Sequence, residues 1–148
     1  MTYKETTIEL WRKVWREGVR DLLSTPALEA LKTALAEDDQ RLAQGMTLAP
    51  LPVRLHEDHP VESACPLAYC GVVDLGGFGE ARVGEVGVAF AGFCYESGKK
   101  LGDPASIRHL LCFWDETPRD EAITLLLAEV RLALADRSDK MEPSILSA

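Results

Sequence analysis

The sequence predicts a mostly α-helical fold, a single-domain bundle of about five to six helices, and three observations support this. The chain has 148 residues, of which 47% are apolar, and this is enough to form one hydrophobic core. Apolar residues recur at helical spacing near both ends of the chain. Proline follows a capping residue at positions 25–26, 103–104 and 117–118, a pair that is typical of helix starts.

The first two helices are predicted from their apolar stripes and their end signals. The first extends from about Glu5 to Leu23, and Ser24 or Thr25 caps the second, which we expect to continue until Gly45. Because the turn between them is short, they are expected to pack as an antiparallel hairpin. The stripes consist of Ile8, Trp11, Trp15, Val19 and Leu22 in the first helix, and of Ala27, Leu28, Leu31, Leu35 and Leu42 in the second.

The middle of the chain is less regular. Residues 46–60 contain three prolines, which disfavour helix and predict a connection along the surface. Residues 61–70 are compatible with a short helix, and glycines make residues 71–79 irregular. Residues 83–100 fit either a helix or a strand, and we favour a helix because the segment is longer than a usual strand. A short β-hairpin within residues 71–95 is the alternative.

Two further helices complete the predicted bundle. Asp103 and Pro104 lead into one helix, and Thr117 and Pro118 lead into the last one. We expect a single helical domain over residues 1–140 and a frayed tail over residues 141–148. The apolar residues of these two helices are Ile107, Leu110, Leu111 and Trp114, followed by Ile123, Leu126, Leu127, Val130 and Leu134.

The charge and hydropathy of the chain argue against several function classes. The formal net charge of −8 repels phosphate backbones, so nucleic acids and anionic membranes are poor partners. The N-terminus has no apolar core of signal-peptide length, and no apolar run approaches the ~18 residues of a membrane span. We therefore expect a cytoplasmic protein whose thiols stay reduced.

Reactive and metal-binding side chains concentrate in one stretch of the sequence. All four cysteines and all three histidines lie between His56 and Cys112. One hypothesis is a zinc or iron–sulfur centre held by Cys65, Cys70, His109 and Cys112. Their spacing matches no established metal-binding pattern, and cysteines often fill protein cores as small apolar groups. Core packing is therefore the preferred interpretation of these cysteines.

An interaction surface is a second hypothesis. His109, Cys112 and Phe113 lie opposite the apolar stripe of their helix, so this second face is a candidate for an interface or a ligand. A central helix with a hydrogen-bonded histidine is the alternative. Trp11 and Trp15 hold much of the aromatic area, and tryptophan is enriched at interfaces, of which the two-fold homodimer is the commonest. The alternative for the tryptophans is a place in the core.

A small cysteine-dependent enzyme is the third hypothesis. Cys94 or Cys112 paired with His109 would form a thiolate–imidazole pair. No nucleophile, base and oxyanion donor occur together at recognisable spacing, which argues against catalysis. The sequence therefore favours a non-catalytic module that binds a protein or a small apolar ligand and acts as a homodimer. A metal protein comes second and an enzyme third.

Overall fold

The computed structural model describes residues 10–147, and it describes side chains for residues 10–140. The fold is mostly α-helical, with six helices and one two-stranded sheet in the described residues, which confirms the predicted fold class. The helices are α1 at residues 10–22, α2 at Thr25–Ala36, α3 at Pro66–Asp74, α4 at Val83–Leu101, α5 at Ile107–Glu116 and α6 at Arg119–Ser147.

The two strands of the sheet lie within the long connection between α2 and α3. Strands β1 (Leu48–Ala49) and β2 (Ser63–Ala64) pair antiparallel, with Leu48 opposite Ala64. A single 3₁₀ turn, Arg54–His56, lies between them. The alternative β-hairpin within residues 71–95 is wrong, because α3 and α4 occupy most of that segment. The preferred prediction, a helix over residues 83–100, is confirmed by α4.

Helix α1 is irregular, and it lies very close to α4. Residues 10–14 are α-helical, Trp15–Val19 form a wider π turn, and Arg20–Leu22 form a 3₁₀ turn. A Cβ atom added to Gly18 would lie 2.6 Å from Ser97 Oγ, so any larger residue would require the side chains of α4 at this contact to move. The part of the predicted first helix before residue 10, including Ile8, lies outside the described residues.

Helix α2 starts as predicted but ends early. Ser24 caps it, since its Oγ accepts a hydrogen bond from Ala27 N at 3.1 Å. The helix ends at Ala36 instead of near Gly45, because Asp38 turns the chain with a φ of +51°. Leu42 therefore lies beyond α2, although it is buried.

The first two helices do not form the predicted hairpin. Helix α2 packs against α3 and α6, whereas the Trp15–Leu22 part of α1 packs against α4. The extended backbone of Leu23 and Ser24 directs the chain away from α1 before α2 begins. The hairpin prediction was therefore wrong, because it rested on the length of the turn and not on its backbone conformation.

Helix α6 is fixed to α1 by an ion pair between the half-exposed Arg16 and the buried Glu129. Arg16 Nε and Nη2 each donate a hydrogen bond of 2.7 Å to the carboxylate of Glu129, whose side chain is only 4% exposed. This pairing raises the pKa of Arg16, so the guanidinium stays charged. About two turns further along α6, Arg137 donates to the backbone oxygens of Arg20 and Leu23, at 2.7 and 2.6 Å. Helices α1 and α6 are thus held together at two places, by the ion pair of Arg16 with Glu129 and by the hydrogen bonds of Arg137.

Helix α6 has helical backbone through Ser147. The division into a domain over residues 1–140 and a tail over residues 141–148 stays a prediction. Within the described residues, no helix is both long and apolar enough to cross a membrane.

Replacing Arg16 with methionine is expected to lower the free energy of unfolding by about 2–3 kcal/mol, because the buried Glu129 carboxylate loses both close donors. Arg12 Nε, 3.9 Å from the same carboxylate, offsets part of the loss. Urea denaturation measures the effect. Arg20→Met is the matched control, since its partner Asp136 is half exposed and the change should amount to less than about 1 kcal/mol. Equal stability of Arg16→Met and the unsubstituted protein would contradict this prediction.

Candidate functional site

The cysteines occupy four different environments. Cys65, at the start of α3, and Cys70, within α3, are buried, and burial raises the pKa of the Cys65 thiol to about 12. Burial also raises the pKa of Cys70. It raises the pKa of Cys94 too, although Cys94 is only partly buried. Cys112 is exposed on α5. All four are free thiols, and the three with raised pKa values are poor nucleophiles, since the thiolate is the reactive form.

The predicted metal ligands are not assembled into a site. Among the described residues, no group of three His, Cys, Asp or Glu side chains is placed to hold a metal ion. Cys65 and Cys70 belong to the hydrophobic core, whereas Cys112 faces solvent. The four-ligand hypothesis is therefore wrong for the fold as described, because burial and exposure separate its members.

The predicted ligand or interface residues lie mainly in the core. Trp11 and Phe113 stack, with ring centroids 3.9 Å apart and planes 7° from parallel, and both are buried. Trp15 is buried as well. The prediction that these three residues face a ligand or a partner was wrong, since α1 covers the second face of α5. Of this predicted set, Cys112 is exposed and His109 is partly exposed.

His109 lines a shallow hollow of about 150 Å³ between α1 and the α4–α5 turn. Its neighbours there include Lys13, Leu101 and Asp103. The backbone N–H of His109 donates a hydrogen bond of 3.1 Å to the backbone oxygen of Ser106. Cys112 does not line this hollow, so the hollow does not pair that thiol with His109.

A small apolar cavity lies beneath α5. Its volume is about 20 Å³, and its walls carry no polar surface. Ligand sites of proteins usually have volumes of roughly 300 Å³ or more, so this cavity is too small for a metabolite. Its walls are formed by Trp15, Leu23, Cys65, Pro66, Leu67, Leu110, Leu111, Trp114 and Leu126.

The exposed side of α4 carries apolar residues that no part of the described chain covers. Val88 is 75% exposed and Tyr95 is 66% exposed, and Ala91 and Gly92 between them are also exposed. These four residues share one side of the helix, opposite the side that packs against α1 and α3. A Cβ atom added to Gly92 would meet no other atom within 4 Å. We call this set the α4 outer face.

A second exposed apolar segment lies beside this face. Leu51, Val53 and Leu55 point into solvent from the connection between β1 and β2, and Leu55 is 92% exposed. We call these three residues the apolar loop. The connection rests on the first turns of α4, where Gly84 N donates to the Glu57 oxygen at 3.0 Å. A Cβ on Gly87 would lie 3.7 Å from Pro52, which shows how closely the connection approaches the helix.

Two open hollows flank the α4 outer face, and their charges differ. The hollow at the start of α4, of about 510 Å³, has the carboxylates of Glu57, Asp58 and Glu85 on its walls, together with Arg82. The hollow at the end of α4, of about 440 Å³, contains Lys99 as its charged residue. The exposed side of α4 is therefore apolar in its centre, mainly acidic at one end and basic at the other.

Sequence reasoning did not identify this surface, although two signals were available. Val88 and Tyr95 are seven residues apart, and at helical spacing they lie opposite the apolar residues Val83, Val86 and Phe90. Leu51, Val53 and Leu55 occur at every second position of a proline-rich connection that was predicted to follow the surface, where apolar residues stay exposed. Five of the nine exposed large apolar residues in the described chain lie around the start of α4, and they are Leu51, Val53, Leu55, Leu75 and Val88.

Comparisons with family models, with curated proteins and with solved structures find no match to this chain. The inference of function therefore rests on the geometry described above.

Thiol labelling should distinguish the cysteine environments at neutral pH. Cys112 is expected to react fast with Ellman's reagent, whereas Cys65 and Cys70 should react only as the protein unfolds, because they are buried and protonated. The measurement is the absorbance time course of the native protein. Cys112→Ser should remove the fast phase. Fast reaction of more than one thiol in that variant would show that the core cysteines are accessible.

The buried thiols should also make stability fall at alkaline pH. Folding raises the pKa of Cys65 from 9.0 to about 12, so above pH 9 the unfolded chain loses a proton that the folded protein keeps. The free energy of unfolding is thus expected to fall between about pH 9 and 12, by up to about 1.4 kcal/mol per pH unit for each such thiol. Urea denaturation at several pH values measures the slope.

The double variant Cys65→Ala/Cys70→Ala is the control for this pH dependence. Its slope should be smaller, and the remainder should come from groups such as Tyr69, whose pKa is also raised by burial. Identical slopes in the two proteins would show that the core thiols do not contribute.

Proposed function

We propose that this protein is a non-catalytic, cytoplasmic protein-binding module that acts as a homodimer through the exposed side of α4. The observation that carries the proposal is the uncovered apolar area of the α4 outer face and the apolar loop, in which Val88 and Leu55 are 75% and 92% exposed. Clustered apolar area of this kind is typical of protein interaction sites, whereas isolated exposed apolar residues are normal.

The alternatives have less support. The apolar cavity of about 20 Å³ is too small for the predicted small ligand, and the two larger hollows beside α4 are open to solvent and include charged residues, which suit an apolar ligand poorly. The raised pKa values of Cys65, Cys70 and Cys94 argue against a cysteine nucleophile at these positions. Cys112 is exposed, but it does not share a hollow with His109. A binding role is therefore the function that the geometry supports best.

Sedimentation equilibrium tests the proposed homodimer. At micromolar concentration, the protein is expected to sediment with twice the mass of one chain. Val88→Asp should shift it towards the monomer, because it would bury an unpaired carboxylate in the interface. Leu132→Asp is the matched control, since Leu132 is a partly exposed leucine on α6 that lies outside the proposed surface and should leave the mass unchanged. A monomeric unsubstituted protein at these concentrations would refute the homodimer.

A further inference from the structure

The exposed side of α4 carries opposite charges at its two ends and an apolar residue on each side of its centre. Val88 and Tyr95 lie at equal distances on either side of the midpoint between Ala91 and Gly92. Glu85 lies 6.5 residues before that midpoint and Lys99 lies 7.5 residues after it, which is about two helical turns in each direction. All of these residues are exposed on one side of α4. The order along this side is therefore acidic, apolar, small, apolar and basic, although the exposed Glu96 lies beside Lys99, with its carboxylate 4.0 Å from Lys99 Nζ.

We propose that a second copy of this chain covers the α4 outer face, with the two α4 helices antiparallel and a two-fold axis between Ala91 and Gly92. This proposal rests on the proposed function, since it names the partner and the geometry of the same surface. A two-fold axis places Glu85 opposite Lys99 of the partner subunit, and Val88 opposite Tyr95 of the partner subunit. Opposite charges then meet at both ends of the helix pair, and apolar side chains meet inside them.

The centre of α4 permits the close approach that such a pair requires. Small residues let two helix backbones come to the short end of the usual separation of about 8–10 Å. Ala91 and Gly92 are exposed, and the space around Gly92 is open. The larger side chains of Val88 and Tyr95, one turn away on each side, would pack around this contact.

A parallel pair of α4 helices would have the wrong charges. It would bring Glu85 beside Glu85 of the partner subunit, where Glu57 and Asp58 already make the hollow acidic. Each chain also has a net charge of −8, so two copies repel one another unless opposite charges are brought close. The antiparallel arrangement brings Lys99 of the partner subunit towards this acidic hollow, which is where a cation is favoured.

The shape of the surface is also complementary to itself across the proposed two-fold axis. Gly87, Ala91, Cys94 and Gly98 follow one another along one edge of α4 at helical spacing. Near Gly87 this edge carries the apolar loop, which protrudes, and near Gly98 it borders the hollow of about 440 Å³. The two-fold axis therefore places Leu55 of each protomer near the hollow of the other. A protruding leucine and an open hollow are complementary in shape.

Charge reversal with restoration tests the pairing. Glu85→Lys and Lys99→Glu are each expected to raise the dimer dissociation constant about tenfold, since each creates two like-charge contacts across the axis. The double variant Glu85→Lys/Lys99→Glu should return to within about threefold of the unsubstituted protein, because the opposite charges meet again with their signs exchanged. Sedimentation at low salt measures all three, and the effects should shrink as salt is added.

Matched controls separate pairing from net charge. Glu116→Lys on α5 and Lys140→Glu on α6 change the net charge equally at exposed positions away from α4, and should alter the dissociation constant less than threefold. Gly92→Arg is a second test, because an arginine has room in one chain but would separate the two helices. It should abolish the dimer while the circular dichroism spectrum and the unfolding midpoint stay close to those of the unsubstituted protein.

The possible outcomes distinguish this proposal from the proposed function. A monomeric unsubstituted protein overturns both. A dimer that Val88→Asp disrupts, but that the charge reversals and Gly92→Arg leave intact, supports the binding surface and overturns the antiparallel α4 pair. Loss of the dimer in the single reversals without restoration in the double variant also overturns the pairing of Glu85 with Lys99.

Discussion

The buried carboxylate of Glu129 sets the arrangement on which the remaining structure depends. Removing a carboxylate from water carries a large free-energy penalty unless charged donors surround it, and Arg16 supplies two hydrogen bonds. This requirement fixes α1 against α6. Helix α1 in turn holds α4, through the close contact of Gly18 with Ser97. The orientation of α4, and therefore of its exposed side, is set by its packing against α3 and against α1, which the ion pair ties to α6.

The parts of the fold that could be predicted are those encoded by neighbouring residues. Ser24 caps α2 and proline occupies the first turn, so this helix start was readable from four residues. Its end was not, since the turn at Asp38 is held by Arg119, which donates to the Asp38 carboxylate and to two backbone oxygens of the same loop. No local pattern contains an interaction between residues so far apart in the sequence.

The same limit explains the outcome for the site. Helical spacing showed that α5 has two apolar faces, but not that α1 would cover Phe113 by stacking Trp11 on it. The cysteines and histidines made residues 56–112 the predicted location of a reactive site. Two of the four thiols, Cys65 and Cys70, are instead packed in the hydrophobic core. The uncovered face of α4 consists of residues with no reactive chemistry. What marks this face as a candidate site is the exposure of its apolar residues, and that exposure depends on how the rest of the chain folds.

The contact between Gly18 and Ser97 also constrains how this protein can change during evolution. Since a Cβ at position 18 would meet both Ser97 Oγ and the Leu101 side chain, at 2.6 and 2.7 Å, neither partner can grow without a loss elsewhere. Glycine is already the smallest residue, so position 18 offers no compensating reduction for a larger residue at position 97. A larger residue at position 18 instead needs smaller or displaced side chains at both positions 97 and 101, so glycine should persist at position 18 among descendants of this sequence unless both of those positions change first.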